Sequence, residues 1–294
     1  MRVKKLMSKR LITVISSISN SLCDFTLDIA VNKYNTYKIL FLTSIISFIL
    51  QIIYALVFGI SFTYQSLPII FLYGLIILAG YLSYIKALQN IPIGLASLLE
   101  NTDLFIVLTI DIILGYIKLT NRFIILFILF IISIIWFCFE TNKIKDEIKL
   151  KKINFIGIVF ILLSVFFYAL EPYIIKKANS LGANEVAINF GYYFLAIPFF
   201  LYKSSKNKDN NSTKKNKKIL LIVLLIGFFE AIYYIGGTIG YIYETPIIVN
   251  IIQEIRVFIL VILSFIFKTD KINLKKTLSI ALGMFSIAGI YLFC

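Results

Sequence analysis

The sequence predicts an all-α, polytopic membrane protein, with about ten transmembrane helices in two inverted five-helix repeats. Three observations predict it. Hydrophobic residues fill 60% of the 294 positions and the mean hydropathy is +0.94, whereas soluble domains are about 45–50% apolar. Apolar runs of about 18–25 residues recur from end to end, each able to cross a hydrocarbon core of ~30 Å. Finally, "IPIGLASLLENTDLF" (91–105) lies over "TPIIVNIIQEIRVFI" (245–259), which puts Pro92 on Pro246 and Glu100 on Glu254.

Taken in order, the expected spans are 9–31, 38–60, 67–88, 92–116, 121–140, 153–176, 183–203, 219–241, 246–267 and 274–293. The opening "MRVKKLMSKR" is basic like a signal peptide, but no small-residue cleavage site follows it. Ser16, Ser17, Ser19, Asn20 and Ser21 then mark the first span as polar and retained. Most connections are short, as between antiparallel neighbours. Two are long and polar: "TNKIKDEIKLKK" (141–152) and "KSSKNKDNNSTKKNKK" (203–218). The first suggests halves at 1–147 and 148–294, and "LDIAVNK" (27–33) lies loosely over "EPYIIKK" (171–177). Five spans per half is odd, so the second half enters the membrane from the opposite side.

Several functions are excluded by composition. The formal charge of +14 would suggest nucleic acid in a soluble domain. Here most Lys and Arg fall between apolar runs, where they anchor loops to lipid headgroups; no nucleic-acid partner is expected. The chain has no His, and Cys23, Cys138 and Cys294 form no CxxC pair. That removes Ser-His-Asp and HExxH chemistry, and no P-loop appears. We expect neither an enzyme nor a bound cofactor or metal.

"GYLSYIKALQNIPIGLASLL" (80–99) and the Gly-containing "SIALGMFSIAGIYLF" (279–293) resemble the drug/metabolite transporter superfamily, in its ten-span EamA-like branch. The sequence departs from that branch at "LGYIKLT" (114–120), where members often carry Gly-Glu, and in the glycine-free "FIILFILFIISIIWF" (123–137). The resemblance implies a carrier of small organic solutes such as amino acids, choline-like cations, nucleotide sugars or drugs.

Carboxylates inside spans are costly and tend to be functional. Glu100 lies about 12 Å beyond Pro92 at ~1.5 Å per residue, near the midplane, and Glu254 matches it in the repeat. Asp111 falls about 28 Å along, where a solvated helix end is expected. At ~100° per residue, polar stripes recur on several spans. They comprise Ser97, Glu100 and Asp103; Ser17, Ser21, Asp24 and Asp28; Ser164, Tyr168 and Glu171; Glu230, Tyr233, Tyr234, Gly237 and Tyr241; and Asn250 with Glu254. We therefore expect Glu100, Glu254, Glu171, Glu230, Tyr168, Tyr233, Tyr234 and Asp24 to line a substrate cavity. Arg256 stands about 200° from Glu254 on its helix. It is expected to pair structurally with Asp103, or else Asp111, leaving Glu100 and Glu254 free. The blander alternatives are interhelical hydrogen bonding for the acids and interface anchoring for the tyrosines.

The function expected is secondary transport of a small cationic or zwitterionic metabolite by alternating access, with proton or cation coupling. Carboxylates attract positive charge, and a Tyr face adds about 0.5–2 kcal/mol of cation–π attraction. An exporter of amino acids or drugs on the same fold is the close alternative, and a lipid-handling or scaffold subunit the remote one. Membrane lipid is the expected surrounding, in the cytoplasmic membrane, with a monomeric or homodimeric chain. Arg2, Lys4, Lys5, Lys9 and Arg10 argue for a cytoplasmic start, although the loops after spans 5, 7 and 9 are richer in Lys.

Overall fold

The computed structural model describes residues 2–31, 35–90, 99–100, 102–145, 155–206, 217–256, 258–259, 263 and 274–293. Among them are ten α-helices: α1 (Arg2–Val31), α2 (Thr36–Phe58), α3 (Leu67–Asn90), α4 (Asp103–Ile113), α5 (Asn121–Lys145), α6 (Phe155–Ser180), α7 (Glu185–Lys206), α8 (Lys217–Tyr243), α9 (Pro246–Gln253) and α10 (Leu274–Phe293). By length and composition, α2, α6 and α7, residues Tyr64–Ala87 around α3 and Ile219–Tyr243 of α8 can each cross a membrane. Pro92, Ser97 and much of the polar gaps lie outside the described residues, as does the side chain of Asp28.

Local chemistry sets several helix boundaries. Asn35 caps α2 by accepting the Lys38 N–H at 3.2 Å, which satisfies one orphan donor of the first turn. That helix stops at Gly59, whose φ of +81° only glycine takes cheaply. Asn184 does two tasks. Its Oδ1 accepts the Ala187 N–H at 3.1 Å to start α7, and its Nδ2 donates to the Gly59 carbonyl at 3.0 Å. Pro246 opens α9 at a first-turn position, where a missing N–H costs nothing.

The chain folds into two compact units, each drawn from both sequence halves. Unit 1 comprises Met1–Leu78 and Pro172–Tyr243; unit 2 comprises Ala79–Glu171 and Glu244–Cys294. In unit 1, α1 packs along α8, and α2 packs on α7 and α8. In unit 2, α5 packs along α10 and α4 on α9.

Helix polarity is the reverse of that in a soluble bundle. On α1, Thr13, Ser16, Ser17, Asn20 and Ser21 are buried, while Leu11, Ile15 and Ile18 are exposed. The same holds on α2, where Ser44, Ser47 and Gln51 face inward and Leu56, Val57 and Phe58 outward. An apolar exterior around a small-residue and polar interior suits hydrocarbon, where close packing and internal hydrogen bonds hold helices together. The chain is an integral membrane protein.

Two helix backbones pack closely where α3 meets α7. A Cβ on Gly74 would run into the Gly191 carbonyl, and one on Gly191 into the Ile70 carbonyl. Small residues at a crossing let two backbones approach in this way.

The expected spans 4 and 9 are both interrupted beside their matched carboxylates. Leu99 and Glu100 are helical, Thr102 makes a turn, and α4 begins at Asp103. On the other side, α9 ends at Gln253, Glu254 sits in a turn, and helix resumes at Ile255.

Candidate functional site

The proposed site residues divide between the units. Asp24, Glu230, Tyr233 and Tyr234 lie in unit 1, and Glu100, Asp103, Tyr168, Glu171, Glu254 and Arg256 in unit 2.

In unit 1 the centre is Glu230 on α8. It is buried, and its Oε2 has no hydrogen-bond partner. Around it stand tyrosines from two helices. Tyr192 of α7 lies 5.1 Å from Tyr234 of α8, ring centre to ring centre. Tyr193 lies 6.0 Å from Tyr234 and 5.0 Å from Tyr192, and Tyr233 lies 5.2 Å from Tyr234. Glu230 is close enough to Tyr192, Tyr193 and Cys23 to act on each electrostatically, and Asp24 also acts on Cys23.

Hydrogen bonds fix this cluster. Ser47 Oγ and Tyr193 Oη share a bond of 2.5 Å, and Gln51 Nε2 donates to the same Oη at 3.3 Å. Ser16 Oγ donates to the Tyr233 carbonyl at 2.8 Å, tying α1 to α8. One turn further on, Tyr73 Oη and Thr238 Oγ1 donate to Asn189 Oδ1 at 3.3 and 2.8 Å. Such a buried network holds its side chains in single orientations. A carboxylate near tyrosine rings can hold an ammonium group by charge and by cation–π contact.

Seven of these residues were not singled out in the sequence: Ser47, Gln51, Tyr73, Asn189, Tyr192, Tyr193 and Thr238. A faint signal existed, since Asn189 and Tyr193 are four apart and so share a helix face.

In unit 2 Arg256 pairs with Glu100, with Nη2 to Oε2 at 3.1 Å. This corrects one expectation: Glu100 is not left free. Asp103 accepts from Asn250 Nδ2 through Oδ2 at 3.4 Å, and Arg256 also acts on it electrostatically. Glu254 is buried, with Oε2 unpartnered. On α6, Glu171 is buried and Tyr168 is half-buried beside Gly80 of α3. Nearby, Ser164 Oγ donates to the Gly80 carbonyl at 3.0 Å.

Asp111 also departs from expectation. It is wholly buried, and its Oδ2 accepts the Ile247 N–H at 2.9 Å. The first turn of α9 has orphan N–H groups and a partial positive charge, and a carboxylate answers both. Asp111→Ala should therefore lower stability by about 1–2 kcal/mol, and Asp111→Asn by less, because its amide oxygen still accepts. Thermal unfolding in detergent measures both. Equal losses for the two variants would remove the capping role.

Among the described residues no group of three or more His, Cys, Asp and Glu side chains is placed to hold a metal ion.

Comparison with known proteins fits this architecture. The model of the family described as EamA-like transporter family matches residues 8–139 and again 155–292. No curated protein matches the sequence. Among 28 matching chains of solved structures, one crystal structure shares 13% identity over 97% of both chains, with a TM-score of 0.74. At that identity the likeness concerns fold alone.

Proposed function

The chain belongs to the EamA-like transporter family, whose members are membrane transporters of small molecules, and we propose that its solute is an organic amine, cationic or zwitterionic, carried by alternating access. The observation that carries this reading is Glu230, a buried carboxylate with a bare oxygen among Tyr192, Tyr193 and Tyr234. An ammonium would favour the ionised carboxylate in this buried place, which an anionic or neutral solute would not.

Alternating access by inverted halves, 1–147 and 148–294, is part of the proposal. It is supported by which helices pack together. With five spans per half, α2 corresponds to α7 and α5 to α10, and each of these pairs is in contact; α4 and α9, which also touch, belong to the matched spans 4 and 9. Likewise α1 packs on α8, and α3 meets α6 at Gly80 and Ser164. Such reciprocity is what a two-fold axis between repeats produces. We further propose that the protein acts in the cytoplasmic membrane as a monomer or homodimer, with both termini inside, proton or cation coupling and no catalysed reaction.

The test has two steps. Amines, amino acids and nucleotides are screened for thermal stabilisation of the purified protein, since a ligand selective for the folded state raises the apparent melting temperature. Counterflow in proteoliposomes is then measured for each stabilising compound. Amines should exchange, and Glu230→Gln, which keeps size but removes charge, should reduce that exchange by about tenfold or more. Stabilisation by nucleotides alone, or full exchange by the Gln variant, overturns the reading. The absence of any solute flux would favour the lipid-handling alternative.

A further inference from the structure

We infer that the solute reaches beyond Glu230 to a second recognition point at Asn189, and is therefore an elongated amine with a hydrogen-bond acceptor at its far end. This rests on the reading of Glu230 as the ammonium site and adds the shape and second functional group of the solute.

Four buried atoms among the described residues of unit 1 have no hydrogen-bond partner: Glu230 Oε2, Gln51 Oε1, Tyr192 Oη and Asn189 Nδ2. Leaving such groups unmade is expensive, so each marks a place where a ligand atom gains. Glu230 is 9% exposed, and Gln51 and Asn189 are fully enclosed.

Helix geometry orders them in a column. On α8, Tyr234 stands one turn beyond Glu230 and Thr238 one turn further, about 6 and 12 Å along the axis. Gln51 belongs at the level of Tyr234, because it donates to Tyr193, whose ring neighbours that of Tyr234. Asn189 belongs at the level of Thr238, which donates to it at 2.8 Å. A carboxylate thus ends the column on one side, a primary amide ends it on the other, and tyrosines line the interval.

The amide end selects an acceptor. Tyr73 and Thr238 both donate to Asn189 Oδ1, so the amide N–H₂ is the function left over, and it can only donate. Its complement is a carboxylate, carbonyl or hydroxyl. At the other end, a primary ammonium offers Oε2 an N–H that a quaternary ammonium lacks. A short amine would satisfy Glu230 and leave Asn189 unmet.

Isothermal titration of the full chain in detergent against glycine, γ-aminobutyrate, ε-aminocaproate and hexylamine tests this. Affinity should rise along the amino acids, with ε-aminocaproate binding about tenfold or more tighter than glycine or hexylamine. Asn189→Asp keeps both acceptors for Tyr73 and Thr238 but loses the donor. It should weaken ε-aminocaproate about tenfold and not weaken hexylamine, while Glu230→Gln should weaken both. The length series on the unaltered protein stands even if a variant fails to fold. Hexylamine binding as tightly as ε-aminocaproate would overturn the second recognition point and leave the amine reading intact. No binding by any of the four would overturn both.

Discussion

Gly191→Ala should destabilise the protein at the upper end of the about 1–3 kcal/mol that overpacking costs, or beyond it. The new methyl would meet the carbonyl of Ile70 and, at 2.8 Å, its Cγ2. A side chain can swing away from such a contact, but a helix carbonyl cannot move without dragging its turn. Gly74→Ala faces the same obstacle from the other helix, because its methyl would meet the Gly191 carbonyl. Gly80→Ala is the control. Its methyl would touch only side-chain atoms, Tyr168 at 3.1 Å and Phe167 at 3.3 Å, which can give by a few tenths of an ångström. Thermal unfolding in detergent should rank Gly191→Ala and Gly74→Ala well below Gly80→Ala. If all three melt together, the backbone crossing of α3 and α7 is not tight.

The consequence reaches the site. Gly191 lies between Asn189 and the Tyr192–Tyr193 pair on α7, so the crossing sets the depth at which those side chains meet α8. A shift of α7 would disturb the Thr238 bond to Asn189 and the Ser47 bond to Tyr193. Loss of amine binding in Gly191→Ala should accompany its loss of stability.

Much of this architecture could be read from the sequence because hydrocarbon imposes simple rules. Apolar length marked the helices, and matching Glu100 with Glu254 pointed to the duplication. The stripe Ser17, Ser21, Asp24 was legible because helical periodicity puts it on one face, and Ser17 and Ser21 are indeed buried. The helix break at Glu254 was not legible, since neither Gly nor Pro marks it. Arg256's partner was hidden for another reason. Rotation about one helix says which way a side chain leaves, but not which carboxylate waits there. Asp103 also accepts a bond from Asn250, and Asp111 accepts the Ile247 N–H. Tyr192 and Tyr193 were missed because adjacent tyrosines in an aromatic helix read equally well as interface anchors. Their burial follows from α7 lying between neighbours on more than one side.

Arg256→Met should be among the most damaging single changes, at about 3–5 kcal/mol, the usual cost of removing one partner from a buried ion pair. Both side chains are largely enclosed, at 16% and 13% exposure, so water cannot readily take over the guanidinium's role. The local charge makes the loss worse. Glu254 and Asp103 lie close enough to interact with Glu100 and Arg256, so the variant leaves three carboxylates without that cation. Arg256→Lys restores the charge but not the planar fork, and should recover only part of the stability. Glu100→Gln added to Arg256→Met removes one repelling charge and should regain stability relative to the single variant. It should not reach the wild type, because Asp103 and Glu254 remain. A double-mutant cycle by thermal unfolding in detergent reads the coupling directly. Additive effects, or an Arg256→Met protein as stable as the wild type, would mean the pair contributes nothing.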